Sequence, residues 1–310
     1  MRSLKLVSIC IPVLNEEENI IPLYNRLNDI SKKISAYDFE FVFTDNHSED
    51  QTWNIIKGLA KTDSRIRAFR FSRNVGFQKS IWLNYSKSKG DAVIQIDADL
   101  QDPPELIEQF IEKWIEGYQV VYGVRVERQE SKASQLIRKL GYRAINFLSE
   151  YEIPEGAGDF RLIDRQAVDV LLQTASAHPY LRGTLASIGF KDIGIPYRRN
   201  ARTAGDSKFP MSGVFKLGWT AVIENSTVPL RLASWTGVVF LIMAIVAIVY
   251  TVSTRFFNPM SSPGYASLMA VILAGFSCTI IFLGLIGDYI IRIYLLQRNY
   301  PMAQIEEELN

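Results

Sequence analysis

The chain has 310 residues with a formal net charge of +1, and 48% of its residues are hydrophobic. This length suits one large domain with a smaller part, and the near-neutral charge argues against a nucleic-acid partner. Of the two cysteines, Cys10 falls in a predicted strand and Cys278 in a predicted membrane span, so no disulfide framework is expected.

Strands and helices alternate from residue 6 to residue 122. Runs rich in β-branched and aromatic residues predict strands, and apolar residues at helical spacing predict the helices between them. This order is typical of an α/β domain with a mostly parallel sheet and helices on both faces. The predicted strands are Leu6–Val13, Phe39–Phe43, Ile66–Phe71, Ala92–Ile96 and Gln119–Tyr122, and the later helices are Glu49–Leu59, Gln78–Ser86 and Pro104–Glu116.

The stretch from Asp97 to Glu105 follows the fourth predicted strand. Open α/β sheets bind ligands just outside the carboxyl ends of their strands. Asp99 and Gln101 offer hard oxygen ligands, which suit Mg²⁺ or Mn²⁺ shared with substrate phosphates. Asp102 and Glu105 fit an N-cap and a capping-box acid of the next helix. A surface turn before a well-capped helix is the alternative interpretation.

Two long runs near the C-terminus, Leu232–Thr254 and Phe256–Gly287, contain no Asp, Glu, Lys or Arg. Each is long enough to cross about 30 Å of hydrocarbon as a helix, and a pair of buried core helices is the alternative. Basic residues precede the first run and follow the second, whereas Arg255 alone lies between them. This bias predicts an integral protein of the inner or plasma membrane with both termini in the cytoplasm.

These patterns divide the chain into four predicted parts. Residues 1–208 form a cytoplasmic α/β domain, and residues 209–231 form a juxtamembrane amphipathic segment. That segment either lies in the lipid interface or packs against the domain. Residues 232–290 form two transmembrane helices with a short loop, and residues 291–310 form a cytoplasmic C-terminal tail.

Polar residues at four predicted strand ends point to one crevice. They lie at Pro12–Glu16, Asp45, Arg73–Gly76 and Asp97–Gln101. This set resembles the family-2 glycosyltransferases, whose fold is the Rossmann-like, nucleotide-sugar-binding GT-A type. The resemblance covers nearly the whole chain and is strongest for polyprenyl-phosphate glycosyltransferases, above all bacterial bactoprenol glucosyltransferases with two C-terminal spans. Dolichol-phosphate mannose synthases are also similar.

The resemblance implies a role for each matching residue. The nucleotide sugar is expected to contact Pro12, Val13, Asn15, Glu16, Asp45, Arg73, Asp97 and Ala98. A divalent cation, Mg²⁺ or Mn²⁺, is expected on Asp99 and Gln101, with Asp97 beside it. The acceptor phosphate is expected on Arg125, Arg138, Arg202 and Lys208, and the implied catalytic residues are Asp159, Arg125 and Arg138.

Two positions leave the prediction open. Where the family has a second acid, this chain has Asn46, which keeps the shape and loses a charge. Asp159 is expected to face the sugar, where it orients the sugar, holds a basic side chain or accepts a proton from the phosphate. A phosphate acceptor is already anionic near neutral pH, so it needs positioning more than it needs a strong general base.

The resemblance implies inverting transfer of a hexose to polyprenyl (undecaprenyl) phosphate at the cytoplasmic membrane face, with UDP-glucose as the favoured donor. GDP-mannose and UDP-aminoarabinose are alternative donors. A processive polysaccharide synthase is disfavoured, because Lys139 follows Arg138 where its motif has tryptophan. A non-catalytic membrane-anchored scaffold is disfavoured by the intact acids at Asp97 and Asp99. The two-span relatives imply a homo-oligomer.

Overall fold

The computed structural model describes residues 4–126, 157–174, 181–199, 264–297 and 303–310, with parts of 235–253. The chain divides into two compact units, of which the second is Val222–Asn299 and the first is the remainder. Several predictions lie outside the described residues and stay predictions, namely the segment 209–231 and the site residues Arg138, Arg202 and Lys208.

The described part of the first unit contains eight strands in one sheet. They are β1 (Leu6–Val13), β2 (Asp38–Asp45), β3 (Ile66–Phe71), β4 (Ala92–Gln95), β5 (Val120–Arg125), β6 (Ala157–Asp164), β7 (Asp192–Tyr197) and β8 (Ile305–Leu309). Their order across the sheet is β7-β5-β6-β4-β1-β2-β3-β8. The helices are α1 (Ile20–Lys33), α2 (Thr52–Thr62), α3 (Phe77–Lys87), α4 (Leu106–Ile115), α5 (Arg165–Gln173), α6 (Leu181–Ile188) and α7 (Tyr265–Gln297).

The sheet is mixed: six of its eight described strands run the same way, in line with the predicted mostly parallel sheet, and β6 and β8 run against them. Strands β4, β1, β2 and β3 run parallel, as the alternation of strands and helices requires. Strand β6 runs antiparallel to β4 and β5, and β8 runs antiparallel to β3. The two antiparallel strands, β6 and β8, therefore come after the part of the sequence in which strands and helices alternate regularly. The Rossmann-like α/β class is confirmed.

Helices cover both faces of the sheet because its central strands are apolar on both sides. In β1, Ile9 and Ile11 join one buried cluster together with α1, α2 and α4. Cys10, one residue apart, joins a second cluster with α3, α5 and α6. Successive side chains of a strand point to opposite faces of the sheet, so Ile9 and Ile11 lie on one face and Cys10 lies on the other.

Strand β8 lies in the predicted C-terminal tail, where the sequence analysis assigns no element. It forms one edge of the sheet, and its side chains alternate between exposed and half-buried. Ile305 packs against the second cluster and Leu309 against the first. The last residues of the chain therefore belong to the same sheet as its first strand.

Helix α7 contains one stretch, Ala274–Ile291, that is long and apolar enough to cross a membrane. It is the one such helix among the described residues, and it contains most of the second predicted span. The first predicted span, Leu232–Thr254, is described only in part and stays a prediction.

Candidate active site

The carboxyl ends of β1 and β2 are joined by a network around Asn15. Val13 pairs in register with Asp45, and the Asn46 N–H donates to the Val13 carbonyl at 2.9 Å. The Asn15 N–H donates to Ser48 Oγ at 2.9 Å, and the Asn15 side-chain oxygen accepts from the Glu49 N–H at 2.8 Å. Asn15 does not cap α1, because α1 begins only at Ile20 and its N-cap is Asn19. A left-handed φ of 53° turns Asn15 toward the β2 end, and asparagine tolerates that conformation.

The neighbouring predicted contact residues lie around this network. Pro12 and Val13 end β1 and are buried. The Glu16 N–H donates to Thr52 Oγ1 at 2.8 Å, and its carboxylate accepts from Asn19 at 2.7 Å. The structure therefore places the predicted first nucleotide loop against the start of α2.

Asp45 is fully buried at the end of β2. Its Oδ1 accepts hydrogen bonds from the Ser48 N–H at 3.1 Å and from Ser48 Oγ at 2.5 Å. Its Oδ2 makes no hydrogen bond within the described residues and lies 3.5 Å from Arg70 Nε. Burial raises the pKa of Asp45, although the Ser48 hydrogen bonds and Arg70 oppose the shift. A buried oxygen without a donor is suited to a ligand that brings one.

Asn46 holds the loop that carries Arg73. Its side-chain N–H donates to Asn74 Oδ1 at 2.9 Å, and its oxygen accepts from the Val75 N–H at 2.8 Å. Asn74 Oδ1 also accepts from the Gly76 N–H at 2.9 Å. An ionised acid at position 46 has no hydrogen to donate, so the amide suits this loop better than the acid of the family pattern. Arg73 itself is exposed.

Asp97 and Asp99 follow β4 as predicted, and their charges interact. Asp97 accepts from Gln95 Nε2 at 2.8 Å, and burial raises its pKa to about 7. The nearby carboxylates of Asp102, Asp159 and Asp99 contribute to this rise of the pKa. Such mutual repulsion is the electrostatic setting in which a cation is favoured.

Asp99 and Ala98 are nearly buried, and Asp99 Oδ1 accepts from the Gln101 N–H at 3.2 Å. Within the described residues, no three His, Cys, Asp or Glu side chains converge as a complete metal-binding group. Two carboxylates nevertheless fit Mg²⁺ or Mn²⁺, because these ions commonly take one or two carboxylates and complete their shell with waters and substrate phosphates.

The buried carboxylate of Asp102 joins three side chains from β5, β7 and the segment after β7. It accepts from Tyr197 at 2.5 Å, from Arg199 Nε at 3.1 Å and from Arg125 Nη2 at 3.4 Å. Arg125 Nε also donates to the Tyr197 hydroxyl at 3.1 Å. The predicted N-cap role of Asp102 is wrong, because α4 begins at Leu106 and its N-cap is residue 105.

Tyr197 and Arg199 are site residues that the sequence analysis missed. Tyr197 is the last residue of a short strand, and its contact with Asp102 joins residues 95 positions apart. Arg199 Nη2 lies 3.5 Å from Asp99 Oδ2 and therefore reaches the predicted cation site. The sequence offered one signal for Arg199, namely that it is a basic residue in the segment after β7. The contacts predicted in that segment were instead Arg202 and Lys208.

Asp159, at the start of β6, is bound by Arg182. The guanidinium donates through Nε at 2.8 Å and Nη2 at 2.6 Å to the two carboxylate oxygens, and Arg161 lies 3.6 Å away. Burial alone would raise the pKa of Asp159, but Arg182, Arg161 and Arg125 hold it at about 2. Of the three predicted roles, the geometry favours holding a basic side chain. Arg182, in the first turn of α6, was not predicted.

Two families match this chain. The family described as "Glycosyl transferase family 2" matches residues 8–172, and the one described as "GtrB C-terminal hairpin" matches residues 228–293. The first match contains β1 to β6, with Asp45, Asp97, Asp99 and Asp159. The second contains most of α7 and the predicted first span.

Three similar proteins have bacterial or phage sources. An uncharacterized glycosyltransferase, YkcC of Bacillus subtilis, is 34% identical over 97% of this chain and 93% of its own length. A bactoprenol glucosyl transferase of Shigella phage SfV is 34% identical over 97% of this chain and 98% of its own length. A prophage bactoprenol glucosyl transferase homolog of Escherichia coli is 34% identical over 95% of this chain and 96% of its own length.

Proposed function

The chain belongs to glycosyl transferase family 2 and is a glycosyltransferase, and we propose that it transfers glucose from UDP-glucose to a polyprenyl phosphate, with inversion at the sugar carbon. One observation carries this proposal: the carboxylate of Asp97 interacts with a guanidinium group, that of Arg125, which Asp102 holds in place, and Asp99 lies 3.5 Å from a second one, that of Arg199. A cation-bound diphosphate and a second phosphate are suited to such a pair of opposite charges. The names of the phage and bacterial relatives support the sugar and the lipid.

The donor half of the site is assigned from the strand ends. Asp45 is proposed to accept a hydrogen bond from the base through Oδ2, the oxygen that makes no hydrogen bond within the described residues. Asp97, Asp99 and Gln101 are proposed to hold the divalent cation, which when bound neutralises charge on the leaving diphosphate. Asn46 keeps the neighbouring loop, with Arg73, in place for the nucleotide.

In the acceptor half of the site, the lipid phosphate needs to be positioned by basic side chains. Arg125 is mostly buried, and its guanidinium is fixed by Tyr197 and Asp102. A phosphate oxygen held there attacks the sugar carbon directly, so that its new bond forms as the bond to the diphosphate breaks. Asp159 is too weak a base for this step, because a pKa of about 2 is far from the working pH. Arg138, Arg202 and Lys208 are proposed as further contacts of the lipid phosphate.

The proposed site lies in a protein whose C-terminal strand returns to the sheet. The chain leaves the first unit near residue 222 and rejoins it at Tyr300. Because β8 and β1 share one sheet, the intervening segment crosses a membrane an even number of times. Helix α7 provides one candidate crossing, so we propose that Leu232–Thr254 provides the other. An even number of crossings puts both ends of the chain on one side of the membrane, and the basic residues that flank the two apolar runs favour the cytoplasmic side.

The test is an assay of the purified chain in detergent with radiolabelled UDP-glucose, GDP-mannose and UDP-aminoarabinose, each with undecaprenyl phosphate. We expect glucose transfer, and NMR of the product should show a β-linked sugar from the α-linked donor. No transfer from any donor, or a retained α linkage, would refute the proposal.

The cation assignment is tested by Asp99→Ala. This change removes an anionic ligand from a site with few of them, so transfer and Mn²⁺-dependent UDP binding should both be lost, as they should be in EDTA. Asp169→Asn is the matched control, because Asp169 is an exposed acid on α5 that pairs with Arg165. Full activity of Asp99→Ala, or of the wild-type chain in EDTA, contradicts the assignment.

A further inference from the structure

The C-terminal strand β8 lies beside the strand that supports the proposed nucleotide acid. Arg70 of β3 pairs in register with Asp45 of β2 on one side and with Glu307 of β8 on the other. These residues form a row across three strands in which an arginine stands between two acids. The end of the chain is therefore two strands away from the proposed base-binding residue.

Specific side-chain contacts fix β8 in this position. The Glu307 carboxylate accepts from Trp53 Nε1 at 2.7 Å and pairs with Lys57 at 2.5 Å, both on α2. The Ser72 N–H donates to the Gln304 carbonyl at 3.0 Å, which extends the pairing beyond the end of β3. The strand is therefore held by side chains as well as by its backbone.

The Arg70 side chain lies between Asp45 and Glu306 of β8. Its Nε lies 3.5 Å from Asp45 Oδ2 and 3.9 Å from Glu306 Oε2, and its Nη2 donates to the Ser48 carbonyl at 3.1 Å. Within the described residues, neither Arg70 Nε nor Asp45 Oδ2 makes a hydrogen bond. The pair is thus an ion pair without a hydrogen bond, and the buried Oδ2 has no hydrogen-bond donor among the described residues.

We propose that β8, through Glu306 and Glu307, holds Arg70 back from Asp45 and so sets the strength and base selectivity of nucleotide binding. This inference rests on the proposed function, in which Asp45 accepts a hydrogen bond from the base. Without the two acids, Arg70 moves onto Oδ2 and donates to it directly. The oxygen is then occupied, and a base that brings an N–H donor loses its acceptor.

Uracil and cytosine distinguish this effect from a general loss of structure. The uracil N3 carries a hydrogen that Asp45 can accept, whereas the cytosine N3 carries none and is itself an acceptor. Occupation of Oδ2 by Arg70 therefore weakens binding of UDP more than binding of CDP. General damage to the fold would weaken both nucleotides alike.

The experiment compares the wild-type chain with the double variant Glu306→Gln, Glu307→Gln. Glutamine keeps the shape and can still accept from Trp53, and the exposed ion pair with Lys57 contributes little to stability. Glu308→Gln is the matched control, because it removes the same charge from an exposed position of the same strand. Calorimetry in uncharged detergent measures the Kd of UDP and of CDP, and thermal unfolding checks the fold.

We expect the Kd of UDP to rise about 10- to 150-fold in the double variant, which is the loss of one hydrogen bond to a charged group. The Kd of CDP should change less than twofold, and Glu308→Gln should match the wild type for both. An unchanged preference for UDP over CDP overturns the inference, whether both nucleotides bind as before or both bind more weakly. A wild-type chain that binds no nucleoside diphosphate overturns the proposed function together with this inference.

Discussion

Asp159 shows how one residue's partners decide its role in the site. Its pKa of about 2 lies below the ordinary value of 3.8, because the guanidinium of Arg182 outweighs the effect of burial. A lowered acid pKa stabilises the fold fully above the ordinary value, and the contribution is lost as the pH falls toward 2. Asp159 is therefore ionised throughout the range in which enzymes of this kind are assayed.

We predict that Asp159→Asn lowers the rate of transfer by about 10- to 100-fold without changing the shape of the pH profile. The rate falls because Arg182 and Arg161 lose the carboxylate that positions them, and not because a base is lost. Measuring kcat from pH 5 to pH 9 for both chains checks this, with Asp169→Asn as the control. If the wild-type profile has an acidic limb that disappears in the variant, Asp159 is a base and the prediction is wrong.

The amide of Asn46 provides a second residue-scale prediction. Asn46→Asp replaces a hydrogen-bond donor with a carboxylate facing Asn74 Oδ1, at a contact that is 2.9 Å in the native chain. We expect a loss of about 1 to 3 kcal/mol of stability at pH 8 and weaker UDP binding. A protonated carboxyl can donate where the ionised one cannot, so the deficit should shrink as the pH is lowered toward 5.

Thermal unfolding and UDP titration at both pH values measure these effects. Asn54→Asp is the matched control, because Asn54 is an exposed residue of α2 that contacts only Gln51 in the described structure. The account of Asn46 is refuted if both variants behave alike, or if the deficit of Asn46→Asp grows at low pH.

At the scale of elements, β5 and β7 approach closely enough that one strand needs a glycine. A Cβ at Gly123 would lie 2.6 Å from Cε1 of Tyr197, closer than packed atoms come. The Tyr197 ring would have to move, and with it the hydroxyl that donates to Asp102 and accepts from Arg125. The spacing of two strands is thus coupled to the position of the proposed phosphate-binding arginine.

We therefore predict that Gly123→Ala lowers stability by about 1 to 3 kcal/mol and reduces transfer more than UDP binding. Denaturant unfolding, kcat and the KM of the polyprenyl phosphate are the measurements. Gly58→Ala is the control, because a Cβ there meets no atom within 4 Å and Gly58 lies in the interior of α2. That control should stabilise the chain by up to about 1 kcal/mol. Equal behaviour of the two variants would show that the Tyr197 ring is not constrained by Gly123.

The elements that the sequence predicts are those set by local patterns of apolar residues. Strands β1 to β4 and helix α1 follow from local apolar patterns, which act over a few residues. Strand β8 was missed because Glu306, Glu307 and Glu308 occupy its middle and leave only its first and last residues apolar. The cap predicted at Asp102 was wrong because the pattern is local, whereas the partner Tyr197 is 95 residues away. Arg182 and Arg199 were missed for the same reason, since only the folded sheet brings them to the acids.

At the scale of the whole molecule, the position of β8 constrains the path of the chain. The N-terminal strands and β8 belong to one sheet, and Val222–Asn299 lies between them in sequence. A single crossing by α7 would place β8 and β3 on opposite sides of a membrane, where they could not pair. Either no crossing occurs or two occur, and the apolar length of α7 favours two.

Two crossings place the loop at residues 255–263 on the side of the membrane opposite the catalytic domain. We predict that Ser262→Cys reacts with a membrane-impermeant maleimide in intact cells, whereas Glu308→Cys reacts only after the cells are permeabilised. Both are made in a Cys278→Ser chain, and Cys10 is buried and should remain unreactive. A gel shift on labelling measures the reaction. Labelling of both positions only after permeabilisation would mean that neither apolar run crosses the membrane. Labelling of Glu308→Cys in intact cells would contradict the cytoplasmic position of β8.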